Sequence, residues 1–163
     1  MAEIIVRPYV EADNGAVLAL ILPIQQDEFS IPVTAEDQPD LKAIGHVYQS
    51  GTGGFWVAEN AGRIVGTIGL IGFGKREGAL RKMFVAADAR GREHGVAARL
   101  LAILLDHARA QGLTAITLGT IERLHAARRF YGKSGFAEIA ADALPEGFPR
   151  MPVDTLFFRL ALR

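Results

Sequence analysis

Cysteine is missing from this sequence altogether. Without thiols the chain can form no disulfide bond, offer no thiolate nucleophile and hold no zinc ion through sulfur, and a reducing compartment suits it. Charge of one sign is not in excess either, since 18 Lys and Arg residues balance 18 Asp and Glu residues. Proteins that act on nucleic acids usually carry a basic surplus, so we expect no nucleic-acid partner.

Patterns typical of membrane and metal-binding proteins are missing as well. The most apolar early run ends at Pro23, well short of the ~20 residues that a bilayer crossing needs. The N-terminal residues also lack the basic stretch and apolar core of a signal peptide, so we expect a cytoplasmic protein without membrane contact. No metal is expected, because the spacing of metal ligands does not occur among the four histidines, His46, His94, His107 and His125.

Half of the 163 residues are hydrophobic, which is enough to bury a core. The length fits a single domain, residues 1–163. Alternating apolar residues predict strands at 3–10, 55–59, 63–73, 79–85, 115–120, 136–139 and 154–162. Apolar residues at helical spacing predict helices at 11–29 (kinked at Pro23), 41–48, 96–110 and 125–134. The order βααβββαβαββ predicts one α/β unit.

A pattern that resembles a phosphate-binding loop, G-x-x-x-x-G-K, runs from Gly69 to Lys75. That motif needs a Ser or Thr at the next position to ligate magnesium, and a helix that points its N-terminus at the phosphates. Arg76 follows here, and the residues after it alternate as they do in a strand. We therefore interpret the segment as a glycine-rich strand end and turn.

The most informative segment is 79–101, where a predicted strand leads through a basic loop into the strongest predicted helix. The first N–H groups of a helix have no partners within it, and its dipole adds positive charge there, so such a junction can hold an anion. Gly95 allows a ligand to approach the backbone closely, and Gly91 gives the loop conformational freedom. Positive charge comes from three arginines, Arg90, Arg92 and Arg99. On these features alone, a phosphate site and a structural loop with a solvated basic face are both open.

Residues 92–97, REHGVA, match the R/Q-x-x-G-x-G/A signature of the GNAT superfamily of acetyl-CoA-dependent N-acetyltransferases. The strand end at 83–85 resembles the family's fourth strand, and HAARRFYGKSGF at 125–136 resembles its later helix and strand. The resemblance implies a mixed, mostly antiparallel sheet, flanked by helices, in which two central parallel strands splay apart. It also implies direct transfer of an acetyl group, in a ternary complex, from acetyl-CoA to an amine on a small molecule or a peptide.

The resemblance also assigns roles to individual residues. The backbone of Met83, Phe84 and Val85 would pair with the pantetheine arm as an added strand does. The pyrophosphate site would be formed by the loop and helix start, which comprise Arg90, Arg92, Glu93, His94, Gly95, Val96 and Ala97. Tyr131 would protonate the departing coenzyme A thiolate, since a phenol with a pKa near ~10 can do so within hydrogen-bond reach of the sulfur. The alternative for Tyr131 is a plain core aromatic.

Two positions depart from the family pattern. Leu124 stands where the family often has Asn, and Gly119 stands where it often has a Glu that acts as general base. Glu122 is a candidate base, but an exposed loop carboxylate is the other interpretation, and a water chain or an amine that arrives neutral would also serve. The departures keep two rivals open: a catalytically silent acyl-CoA-binding regulatory module, and a protein-interaction domain. The acceptor and the oligomeric state stay open, and a homodimer is compatible with the family.

Charge is unevenly distributed along this neutral chain. Acidic residues dominate positions 11–50, whereas Lys and Arg outnumber Asp and Glu at positions 75–109. Because the resemblance puts the first segment beside the acceptor, its carboxylates would attract a cationic amine. The alternative is that the same carboxylates are solvated loop and helix-cap residues.

Overall fold

The computed structural model describes residues 3–91 and 94–163. Its strands are β1 (Ile4–Pro8), β2 (Gly54–Asn60), β3 (Arg63–Phe73), β4 (Glu77–Val85), β5 (Ala115–Thr120), β6 (Ala137–Ile139) and β7 (Leu156–Ala161). Its helices are α1 (Asn14–Pro23), α2 (Ile44–Val47), α3 (Val96–Ala110) and α4 (His125–Lys133). The strands form one sheet in the order β1–β2–β3–β4–β5–β7–β6, antiparallel except between β4 and β5. The predicted α/β class with a mixed, mainly antiparallel sheet is confirmed.

The first helical region is broken into three pieces. A 3-10 turn (Glu11–Asp13) precedes α1, and a wider π-type turn (Ile24–Glu28) follows it. Proline has no N–H to donate, so the regular hydrogen-bond ladder is interrupted at Pro23 and the next turn is wider. Helical turns therefore cover 11–28, close to the predicted 11–29, and their geometry changes at Pro23, where the kink was predicted; they are of three kinds and do not form one regular α-helix. Every other predicted helix or strand is found within three residues of its expected ends.

The segment with the phosphate-loop spacing belongs to β3 and the turn after it. β3 runs to Phe73, residues 74–76 turn the chain, and β4 begins at Glu77. Gly74 and Arg76 both have positive φ angles, 53° and 60°, as tight turns often require. The next element is a strand, so this glycine-rich segment has no helix N-terminus to offer a phosphate.

The sheet buries its two faces under different helices. α3 and α4 cover one face, where Leu100 and Leu104 are fully buried. α1 and α2 cover the other face, where Val17, Ile21 and Ile44 are fully buried. Because successive strand residues point to opposite faces, each strand supplies side chains to both compartments. Among residues 3–91 and 94–163, no helix combines the length and the apolar content that a bilayer crossing requires.

The two parallel strands diverge in the middle of the sheet. β4 and β5 pair only at their first residues, where 77–79 lie opposite 115–117. Beyond that point β4 contains a bulge at Lys82, whose φ of 55° is unusual for a residue with a side chain, and its register to β3 shifts there. The later parts of β4 and β5 are therefore not paired with each other. The predicted splay of the central strands is confirmed.

Candidate active site

The gap between β4 and β5 presents unpaired strand backbone. Ala86 donates its N–H to the carbonyl of Val65 in β3 at 2.8 Å. Since backbone polar groups alternate in direction along a strand, Val85 directs its own N–H and C=O away from β3, into the gap. Arg90 Nε donates to the Val85 carbonyl at 2.8 Å. The gap can thus pair with an extended ligand, and pantetheine binding by the backbone of 83–85 stays a prediction.

Tyr131 lies at the edge of this gap, on the α3 and α4 face of the sheet. Its hydroxyl is 3.6 Å from the sulfur of Met83 in β4. Its ring packs against Phe136 and Phe158, with centroids 5.7 and 6.3 Å apart. Burial raises the pKa of Tyr131 above its usual value, so the hydroxyl keeps its proton at neutral pH. The ring is therefore a core aromatic, while the hydroxyl meets β4 where the strands diverge.

The loop before α3 leaves room for a ligand. Gly95 is the N-cap residue of α3 and has a left-handed backbone, with φ of 64° and ψ of 17°. A Cβ atom placed on Gly95 would meet no atom of the described residues within 4 Å. His94 and Gly95 both donate their N–H groups to the carbonyl of Gly91 at 3.3 Å, and Arg99 makes the first helical bond, to Gly95, at 3.0 Å. Within the described part of the chain, the N–H groups of residues 96–98 therefore have no backbone acceptor.

Arg90 fixes this loop to the first helical region. Its guanidinium makes two hydrogen bonds to the Glu28 carboxylate, at 2.5 and 2.8 Å. These bonds lower the pKa of Glu28 below its ordinary value. The predicted contact of Arg90 with a cofactor phosphate stays a prediction, because the side chain is engaged by protein groups here. Arg92 and Glu93, which were predicted to belong to the same site, lie outside the described residues.

A buried polar cluster lies on the opposite, α1 and α2 face of β4. Tyr48 donates its hydroxyl to Asp40 Oδ2 at 2.5 Å, and Lys82 Nζ lies 3.6 Å from the same oxygen. Lys82 also donates to the side-chain oxygen of Gln38. Burial lowers the pKa of Lys82 to about 8, against the opposing effect of Asp40. The Arg81 guanidinium lies 6.0 Å from the Tyr48 ring centroid. The strand pattern alone does not predict the cluster, because the bulge at Lys82 turns two consecutive cations, Arg81 and Lys82, to one face.

The predicted position of a general base carries no carboxylate of its own. Gly119 lies in β5, and Glu122 is exposed in the loop after it. Leu124 immediately precedes α4. The carboxylate that lies over Gly119 belongs to Asp154, in the segment just before β7. Sequence analysis did not single out Asp154, since only the pairing of β5 with β7 brings it to this place.

Several carboxylates of the acidic segment are already paired with cations of the chain. Asp13 accepts two hydrogen bonds from Arg7, at 2.8 and 2.9 Å. Glu28 binds Arg90, and Asp40 lies beside Lys82. Fewer free negative charges are therefore available to attract a cationic acceptor than the sequence suggested. The preference for such an acceptor stays a prediction.

Comparisons with known proteins decide the family. Residues 18–136 match the model of the Acetyltransferase (GNAT) family. The chain belongs to the GNAT family. A GNAT-family acetyltransferase from Staphylococcus aureus Mu50 is 37% identical to this GNAT chain, with a TM-score of 0.94 over 98% of this chain and 99% of that one.

Further relatives extend the comparison of this GNAT chain. The N-acetyltransferase family 8 member 2 of Rattus norvegicus is 34% identical over 104 residues, which are 61% of this chain and 45% of the relative. The chain thus spans less than half the length of this curated relative. An N-acetylglutamate synthase from Neisseria gonorrhoeae, complexed with coenzyme A and N-acetyl-glutamate, shares the fold at 20% identity, with a TM-score of 0.76 over 100% of this chain and 36% of that one.

Proposed function

We propose that this GNAT chain is an N-acetyltransferase that moves the acetyl group of acetyl-CoA to an amine, by direct transfer within a ternary complex. The observation that carries the proposal is the gap between β4 and β5, with the Tyr131 hydroxyl at its edge, 3.6 Å from Met83. A gap with free strand backbone on one side and a proton donor at its edge suits a thioester that must be held and then protonated at sulfur.

The residues around the gap fit coenzyme A. Val85 directs its N–H into the gap, where it can donate to a pantetheine carbonyl, while its own carbonyl is held by Arg90. The N–H groups of residues 96–98, which have no backbone acceptor among the described residues, offer donors to a phosphate. Since no described residue lies within 4 Å of a Cβ atom built on Gly95, a phosphate can approach the backbone there. The N-acetylglutamate synthase with the same fold was solved with coenzyme A. Acetyl-CoA would supply the activated acyl group, and the chain would supply position and protons.

Tyr131 would act as the general acid. When the amine nitrogen attacks the carbonyl carbon, the C–N bond forms, the C–S bond breaks, and the sulfur leaves with a pair of electrons. Tyr131 donates its proton to that sulfur, and the pKa of Tyr131, raised by burial, keeps the proton available over the whole neutral range. Backbone N–H groups of β4 that point into the gap would stabilise the oxyanion as it develops.

Thiol release with a panel of amines tests the proposal directly. The chain has no cysteine, so a thiol-reactive dye reports only the free thiol of coenzyme A. We expect release that depends on both acetyl-CoA and at least one amine, with a matching mass increase of the amine product. Calorimetry with coenzyme A should show binding. Binding without release for any amine would instead indicate the silent acyl-CoA-binding module, and absence of binding would contradict both.

A further inference from the structure

The side chain of Asp154 occupies the space that a side chain at position 119 would take. A Cβ atom built on Gly119 would lie 2.5 Å from the carboxyl carbon of Asp154 and 2.9 Å from its Cβ atom, far closer than non-bonded atoms approach. Only glycine at this position of β5 therefore leaves room for the Asp154 carboxylate. The pair Gly119 and Asp154 thus places an acid group at the end of β5 that is not paired with β4, although the strand itself carries none.

The carboxylate of Asp154 is held in place but not neutralised by an ion pair. Asp154 is 8% exposed, and its Oδ2 accepts a hydrogen bond from the Met151 N–H at 3.1 Å. Within the described residues no Lys or Arg forms a salt bridge with it. Burial raises the pKa of Asp154, while the Met151 N–H and the more distant cations Arg81, Arg150 and Lys82 act in the opposite direction. A carboxylate in such a setting takes up a proton more readily than an exposed one does.

Asp154 and Tyr131 lie on opposite faces of the sheet. In β5, Leu118 packs in the core under α3 and α4 that also contains Tyr131, and Gly119 as the next residue faces the other way. The Asp154 carboxylate therefore lies on the α1 and α2 face, near the compartment of Arg81 and Lys82. Two proton-carrying groups thus lie on opposite faces of the sheet, Tyr131 beside β4 and Asp154 over β5.

We propose that Asp154 is the general base that takes a proton from the acceptor ammonium group; this rests on the proposed acetyltransferase function. Asp154 accepts one proton, which leaves a neutral amine with a free electron pair. The amine forms the C–N bond, the C–S bond breaks, and Tyr131 protonates the sulfur. The second proton that the nitrogen loses restores Tyr131, and Asp154 releases its own proton to solvent. The ammonium thus loses two protons, of which one ends on the thiol and one in water.

Replacement of Asp154 by Asn tests the assignment. The amide keeps the size of the carboxyl group and an oxygen for the Met151 N–H, so the fold should persist, but it cannot accept the proton. We expect kcat at pH 7 to fall by roughly 10²–10⁴-fold while coenzyme A affinity is unchanged. The control is Asp142→Asn, which removes an exposed carboxylate from the same connection between β6 and β7 and should leave kcat as in the wild type.

The pH dependence separates a base from a structural residue. At pH values above the pKa of the acceptor amine, the amine is already neutral and no base is needed. The kcat of Asp154→Asn should then rise to within about tenfold of the wild-type kcat. The charged and titratable groups that face Asp154 are Arg81 and Lys82 on β4 and Arg150 in its own segment, with Asp40 and Tyr48 beyond Lys82. Because the charge of Asp154 is one of the groups that raise the pKa of Lys82, its removal lowers that pKa, and the rates are compared well below and well above pH 8. A defect of the same size at every pH would overturn the proposal, as would a normal rate at pH 7.

A second variant moves the carboxylate without removing it. Gly119→Ala places a methyl group where the Asp154 carboxylate lies, and a displacement of about 1 Å from the productive position can lower the rate by roughly 10²-fold. The control is Gly15→Ala in α1, where a Cβ atom meets nothing within 4 Å. Full activity of Gly119→Ala would contradict the proposal. If the wild type itself releases no thiol with any amine, the acetyltransferase function fails, and the role of Asp154 fails with it.

Discussion

Removal of a single oxygen atom tests the role of Tyr131. In Tyr131→Phe the ring keeps its contacts with Phe136 and Phe158, but the proton donor is lost. General acid catalysis contributes roughly 10²–10⁴-fold to a rate, which corresponds to about 3–5 kcal/mol of transition-state stabilisation. We expect kcat to fall by a factor in this range, provided that the chemical step limits turnover.

The structure predicts that this substitution leaves the fold almost unchanged. The hydroxyl hydrogen bonds to the sulfur of Met83, a weak acceptor that does not need a donor when it is buried. The free energy of unfolding should therefore change by less than about 1 kcal/mol, and coenzyme A affinity should stay within about threefold of the wild type. A large loss of rate combined with these small changes would distinguish an acid from a packing residue.

The assay is thiol release at saturating acetyl-CoA and amine, together with a single-turnover measurement that shows whether chemistry is rate-limiting. The control is Tyr9→Phe, which removes the hydroxyl of another buried tyrosine, one that contacts Asn14 and Glu11 at 3.3 and 3.4 Å on the far side of the sheet. Tyr9→Phe should keep the wild-type kcat. An unchanged single-turnover rate in Tyr131→Phe would refute the reasoning and assign the proton to water or to another group.

Two further predictions concern the cofactor loop and the buried lysine. Gly95→Val should weaken coenzyme A binding in calorimetry. The control is Gly112→Val at the other end of α3, which introduces the same left-handed strain and should lower stability without weakening binding. Equal affinities of the two variants for coenzyme A would contradict the loop assignment. Because burial lowers the pKa of Lys82 from 10.5 to about 8, the unfolded chain binds more protons between these pH values, and the free energy of unfolding should rise with pH by roughly 1 kcal/mol per unit. Urea unfolding at pH 8–10 should show this rise in the wild type and not in Lys82→Met; parallel slopes would mean that Lys82 is charged and solvated in the folded state.

Short-range patterns predicted most of the fold. Apolar residues at helical spacing placed α3 at its observed ends, and Gly112 marked its C-terminus. The region 11–29 was harder, because its apolar residues continue through Pro23 and hide the change from α to π geometry. A hydrophobic pattern reports which residues are buried, and it does not report how many residues one turn contains.

Site residues could be predicted where a short segment carries the pattern. Gly95 and the residues after it were proposed because loop and helix start follow one another in the chain, and their role in binding stays a prediction. The cluster around Lys82 was not predicted, since a bulge reversed the alternation that a regular strand would have. The carboxylate of Asp154 was missed for a related reason. It stands out only because it lies over Gly119, and a glycine in a strand does not indicate which side chain packs over it.

The sequence by itself determined the classes of protein that composition excludes, the order of the elements, the irregularity at Pro23 and the loop that precedes α3. These features depend on neighbours within a few residues, whose side chains and turn preferences act locally. Tertiary structure decided where β4 and β5 part, that Tyr131 meets Met83 from 48 positions away, and that Asp154 fills the space above Gly119. Such contacts depend on strand order and register, and a shift of one residue in β4 or β5 would turn Met83 or Gly119 to the other face of the sheet.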